Sequence, residues 1–156
     1  MTAQAFMAEH IEKMGQSMVH FLSTTDPDLL SKKMETKGAE PARSIFELVG
    51  ECAIANRYFA SLLNGEESKR PPAVDLTDIK EAQDEIVASS LVLADTVRNA
   101  SDDVFETEFT SWRGQVKGKM LMMGAYRNMA YHSGQINFIQ ILEGDHEFHM
   151  PPTWLN

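Results

Sequence analysis

Four stretches of this chain repeat their apolar residues at i, i+3, i+4 and i+7, and none alternates apolar with polar residues over the length of a strand. That period places the apolar side chains on one face of a helix, and such a face is stable only when hidden against another. Phe6, Met7, His10, Ile11, Met14, Met18, Phe21 and Leu22 predict a first helix over about residues 3–23, stopped by the turn-forming run Ser23-Thr24-Thr25-Asp26-Pro27-Asp28. A loop follows, with a short turn expected at Asp28 to Met34 and a second break at Lys37-Gly38-Ala39-Glu40-Pro41. Ile45, Leu48, Val49, Cys52, Ala55, Asn56, Phe59, Leu62 and Leu63 then predict a helix over about 42–64, ended by Gly65.

A connection from Glu66 to Asp75 containing Pro71-Pro72 leads to a third helix over about 77–99, capped by Asp75 or Thr77, with Ile79, Ile86, Ser90, Leu93 and Val97 facing inward. Val104 to Gly114 is short and polar between its aromatic residues, and reads as an ordered loop with a brief extended piece. The longest helix runs over about 117–143, ends at Gly144, and leaves a tail from Asp145 to Asn156 that Pro151-Pro152 hold out of helix.

Four helices of about 20 residues predict an all-α four-helix bundle, with a second-to-third connection long enough to cross the bundle end. The 156 residues suit one domain over 1–156, large enough to be stable without a metal or disulfide, so that any metal would serve function. With 14 Lys+Arg against 23 Asp+Glu the net charge is -9, which repels polyphosphates and argues against a nucleic-acid partner. No apolar run approaches the ~18 residues of a membrane span. Cys52 is the single cysteine, and MTAQAFMAEHIEKM has neither the basic start nor the continuous apolar stretch of a signal peptide, so a cytoplasmic location is expected.

Asn128 and His132 stand four residues apart on the last helix, about 40° apart around its axis, so both point toward one spot. Leu121, Ala125, Gln135, Ile139 and Leu142 lie on or beside the same face, which turns the pair into the bundle. A buried histidine there needs a partner, and Asn128 or Gln135 would supply it in a purely structural reading. Glu51 is the matching polar residue at the rim of the second helix's stripe, and Glu47 lies one turn earlier. His146-Glu147-Phe148-His149 has a ligand-like spacing but falls beyond Gly144, and reads as part of a solvated tail. His10 is expected near the apolar face, where it would line a pocket. Cys52 has a negative neighbour and reads as a packing residue. The ten methionines read as adaptable core filler.

The segments SIFELVGECAIANRYFASLL from Ser44 to Leu63 and LMMGAYRNMAYHSGQINFIQILEGD from Leu121 to Asp145 resemble the DinB-like family of metal-dependent four-helix bundles, which includes bacillithiol S-transferase relatives. AYHSGQINFIQILEG is the most specific part of the resemblance, which spans essentially the whole chain in helix order and spacing. It implies a bundle, often dimeric, in which three histidines hold a divalent metal near one end. Glu51 and Asn128 stand in this sequence where the family has its first two histidines, and His132 keeps the third. The metal set implied here is thus Glu51, Asn128 and His132, binding Zn, Ni or Fe more weakly than three imidazoles would.

Two functions follow from these readings. One is a metal-dependent transferase or hydrolase acting on a thiol or other small molecule, in which the ion lowers the pKa of a bound water or thiol. The other is a non-catalytic homodimeric bundle that binds a small ligand or protein partner, its triad hydrogen-bonded directly without metal. Trp112, Phe148 and Trp154, apolar residues outside the core stripes, are candidates for the dimer interface.

Overall fold

The computed structural model describes residues 1–66 and 71–155. Its main elements are α1 (Ala3–Thr24), α2 (Ile45–Leu63), α3 (Ile79–Arg98), β1 (Glu108–Ser111), β2 (Gly114–Lys117) and α4 (Gly118–Leu142), with short 3-10 turns at Pro27–Leu29, Asp102–Phe105 and Pro152–Trp154. The chain is therefore mostly helical, as its periodicity requires. Each start of the first three helices has a local cause. Thr2 accepts a hydrogen bond from the Ala5 amide. Ser44 and Glu47 form a reciprocal capping box that begins α2 at Ile45, three residues later than periodicity alone suggests. Asp78, rather than Asp75 or Thr77, accepts from the amides of Lys80 and Glu81 to begin α3. Gly65 and Gly144, just past the ends of α2 and α4, take positive φ of 75° and 98°, as a left-handed helix terminus requires.

α1 packs against α3 and α4, and α2 packs against the same two, so α1/α2 and α3/α4 are the diagonals of the bundle. Side-chain pairings give the directions. Ser23 meets Gln83 while Glu12 meets Arg98, so α1 and α3 run antiparallel. His10 meets Tyr126 while Thr25 meets Gln140, so α1 and α4 run parallel. Gly50 faces the Val74 carbonyl just before α3 and Asn56 meets Ser90, so α2 and α3 are parallel. The order is up-down-down-up. The connection from Glu66 to Asp75 does not cross the bundle end; its described part runs back along α2 to return the chain to the starting level, and residues 67–70 lie outside the described residues. The diagonals are crossed instead by residues 25–44 and 99–117.

One core is built at the centre, from Ile11, Met18 and Leu22 on α1, Ile45 and Val49 on α2, Ile86, Leu93 and Val97 on α3, and Met122, Met129 and Ile136 on α4. Burying each such side chain contributes about 1.5–3 kcal/mol. The buried line of α1 is Ala8, Ile11, Gly15, Met18 and Leu22, while Phe6 is exposed. Gly15 permits close approach of α3, since a Cβ there would lie 2.5 Å from Ser90 Oγ. A polar layer interrupts the core, with buried Asn56 donating through Nδ2 to Ser90 Oγ at 3.2 Å.

Two further expectations are adjusted. Residues 108–117 form an antiparallel hairpin, Phe109 opposite Val116, rather than a loop with one extended piece. Its two-residue turn is Trp112-Arg113, and Gly114 follows at φ 109°. The tail is solvent-exposed at His146, Glu147 and Phe148 as expected, but its end closes onto α1, where Trp154 Nε1 donates to Ser17 Oγ at 3.2 Å and the Trp154 ring meets Phe21.

Candidate functional site

The capping box that starts α2 fixes both ends of the candidate site on that side. It leaves Arg43 just outside the helix and sets Glu51 about two turns in, so the Arg43 guanidinium folds back to pair with Glu51 Oε2. The other carboxylate oxygen, Oε1, faces His132 Nε2 on antiparallel α4 at 3.8 Å. His132 is buried, and its Nδ1 lies 2.6 Å from Gln135 Oε1, one turn further along the same helix. With that oxygen accepting, Nδ1 carries the proton and the Nε2 lone pair points at Glu51. Burial pushes the His132 pKa below its ordinary value, against the opposing effect of the Gln135 hydrogen bond, and the positive charge of Arg43 lowers it further. The imidazole is thereby held neutral.

Of the two partners available to His132 by spacing, Gln135 takes the role and Asn128 does not. Asn128 instead turns Nδ2 toward Cys52 Sγ at 3.7 Å. Glu51 and His132 thus approach one another across the α2–α4 interface, with Asn128 one turn away. A divalent ion does not fit this arrangement as it stands. The one carboxylate is already neutralised by a guanidinium, the amide presents its NH2 to a thiol, and a single imidazole remains. Among the described residues no three His, Cys, Asp or Glu side chains gather as an ion would need.

The other sequence candidates lie elsewhere. Glu47 pairs with Lys33 Nζ at 2.6 Å and accepts from the Ser44 amide, which hold its carboxyl below the usual range and make it part of the helix cap. His10 stacks on Phe6 on the α1 side of the bundle, beside Tyr126 and Trp154, away from Glu51. His149 pairs with Asp145 at 2.7 Å within the tail. Cys52 is fully buried and burial pushes its thiol pKa up, so it is not a nucleophile. Phe148 and Trp154 pack against each other while remaining about half exposed.

Glu51 and Asn128 line the inner side of a cleft of about 760 Å³ between α2, α4 and the hairpin. Its floor and walls include Tyr58, Phe59, Leu121 and Val116, and its rim carries Trp112 and three arginines, Arg43, Arg113 and Arg127. Tyr58 Oη accepts from the Trp112 amide at 3.1 Å, which ties the hairpin turn to α2. Arg113 lies over the Trp112 ring, 4.4 Å from its centroid. Sequence reasoning missed these arginines because none has helical ligand spacing; the signal available was Trp112-Arg113 ahead of Gly114, a turn formed by residues rarely chosen for turns. Compared with known proteins, the chain matches no protein-family model and no curated protein.

Proposed function

We propose that the chain is a DinB-like bundle that works in the cytoplasm as a homodimer and binds a small molecule in the α2–α4 cleft without a resident metal. The observation that carries this reading is the Arg43–Glu51 pair beside His132. A guanidinium supplies the positive charge at the carboxylate that a metal would otherwise supply, and the neutral imidazole stays beside it. A cleft of about 760 Å³ is within the ~300–1,000 Å³ typical of small-molecule sites. What the residues do in this reading is bind and orient. Arg43 and Glu51 line the cleft as an ion pair, His132 Nε2 stands 3.8 Å from the Glu51 carboxylate, and Tyr58 ties the hairpin that forms one wall to α2.

The test is calorimetric titration of metal-stripped protein with Zn²⁺ and Ni²⁺ near neutral pH, paired with titration of the neutral fluorophore N-phenyl-1-naphthylamine. The expected result is saturable binding of the fluorophore and no stoichiometric binding of either metal. One observation favours a second reading: with the Arg43 guanidinium displaced, His132 Nε2 and Glu51 Oε1, 3.8 Å apart, would both be free to ligate one cation. In that reading Glu51, Asn128 and His132 hold a divalent Zn, Ni or Fe ion and the protein is a thiol transferase or hydrolase. Stoichiometric metal uptake abolished by His132→Ala would replace the first reading with the second.

A further inference from the structure

The charge of the cleft runs against the charge of the protein. The chain carries a net charge of -9, yet the cleft is lined by three arginines and one carboxylate. Arg43 and Glu51 neutralise each other. Arg113 and Arg127 pair with no carboxylate among the described residues: Arg113 rests on the Trp112 ring, and Arg127 spends Nε on the Met123 carbonyl of its own helix and sets Nη2 beside Met120 sulfur. Most other described basic side chains are matched, as in Arg57 with Glu85, Arg98 with Glu12, and Lys117 with Glu106, while Lys37 stands on an exposed loop. Two guanidiniums left with spare donors beside an aromatic wall constitute a receptor with a charged end and an apolar end.

We infer that the cleft takes a soluble organic anion with an apolar body, its carboxylate, sulfonate or phosphate group held by Arg113 and Arg127 and its body lying along Trp112, Tyr58 and Phe59. The proposal rests on the small-molecule reading above. Guanidiniums bind such groups through paired, charge-assisted hydrogen bonds, and low-dielectric walls focus their field into the cleft. The Glu51 carboxylate does not oppose the ligand, since Arg43 compensates it. Gly124 helps to keep the wall in place: a Cβ there would lie 3.2 Å from Phe59 Cζ and push the ring.

The probes are 8-anilinonaphthalene-1-sulfonate, an aromatic anion, and N-phenyl-1-naphthylamine, its uncharged counterpart, followed by fluorescence with competition by decanoate and by decanol. The variant is Arg113→Gln/Arg127→Gln, and a control pair, Lys37→Gln/Lys80→Gln, changes net charge equally at exposed positions outside the cleft. The arginine variant is expected to bind the sulfonate at least tenfold more weakly and the neutral probe within twofold of the native protein. The control pair should change neither, and decanoate should displace the sulfonate better than decanol does. Equal weakening of both probes, or sulfonate loss shared by the control pair, overturns the proposal. Neutral-probe binding with sulfonate affinity unmoved by the arginine variant overturns the ligand class while leaving the cleft reading intact. Binding of neither probe to the native protein overturns both. A Trp emission shift with phosphatidylglycerol vesicles but not with decanoate would make the ligand a membrane surface, and overturns the soluble anion.

Discussion

Removing the Arg43 guanidinium should turn the site toward cations. In the native arrangement Glu51 Oε2 is paired with Arg43, and Oε1 faces His132 Nε2 at 3.8 Å. A divalent ion shared by that oxygen and that nitrogen would sit roughly 5 Å from the guanidinium, where the repulsion is about 7 kcal/mol at an effective dielectric of ~20 and about 2 kcal/mol in bulk water. The Arg43 side chain is 58% exposed, so the lower figure applies. Arg43→Ala should therefore strengthen Zn²⁺ or Mn²⁺ binding by about 2 kcal/mol, roughly 30-fold at 25 °C. Glu51→His with Asn128→His adds two imidazoles to His132, giving the three protein ligands usual in open zinc sites, and Arg43→Ala should raise its zinc affinity by a similar factor. Calorimetric titration across these variants is the assay, with His132→Ala added to each as a control. If Arg43→Ala leaves metal affinity unchanged, or if the gain persists without His132, then the guanidinium is not what keeps an ion out and the three positions do not share a site.

Three further outcomes follow from the geometry. Gly15→Ala places a methyl group 2.5 Å from Ser90 Oγ and 2.8 Å from its Cβ; crowding of about 1–3 kcal/mol should outweigh a helix-propensity gain of about 1 kcal/mol, lowering the urea midpoint, with partial recovery on adding Ser90→Gly. Because the folded-state pKa of His132 is lowered, the unfolded chain takes up that proton first: the contribution to stability is complete above the ordinary value of 6.5 and is lost as pH falls toward the folded value, and denaturation against pH should show this slope flattened in His132→Gln. Tyr131, Phe138 and Leu142 share an exposed face of α4, at 66%, 58% and 56% exposure, so the native chain should sediment as a dimer and Phe138→Asp as a monomer; a native monomer at tens of micromolar removes the dimer.

The helices were legible because their information is local. Apolar spacing placed α1, α3 and α4 within about two residues of their observed ends, and the Ser44–Glu47 spacing that begins α2 was itself in the sequence. The order of packing was not legible, since which stripe meets which depends on small residues such as Gly15, whose value appears only when Ser90 stands opposite. The hairpin was missed because Trp112-Arg113 lacks turn chemistry and its strands are four residues each, held by Tyr58 and by packing on α2 and α4 rather than by their own pattern. At the site, spacing on one helix correctly turned His132 inward, and the facing of Glu51 and His132 is present in the structure. Arg43 was invisible to the same reasoning: it lies outside any helix, and its reach back to Glu51 depends on where the cap stops the chain.

That placement bears on the chemistry of the cleft as a whole. Had Glu51 stood alone beside a neutral histidine, the inner end of the cleft would be anionic and would attract cations. With Arg43 in place Glu51 contributes a neutral ion pair, and the residual charge of the cleft lining is that of Arg113 and Arg127. An anion approaching this acidic protein is repelled at long range and attracted only once it enters the cleft, where walls of Tyr58, Phe59 and Leu121 reduce screening. Selectivity then comes from the contact end of the encounter: the ligand must be small enough to bring its charge to the guanidiniums and apolar enough to remain beside the aromatic wall. A nucleic acid would meet the first repulsion along its whole length, so the ligand expected at these arginines is a small anion rather than a polyphosphate.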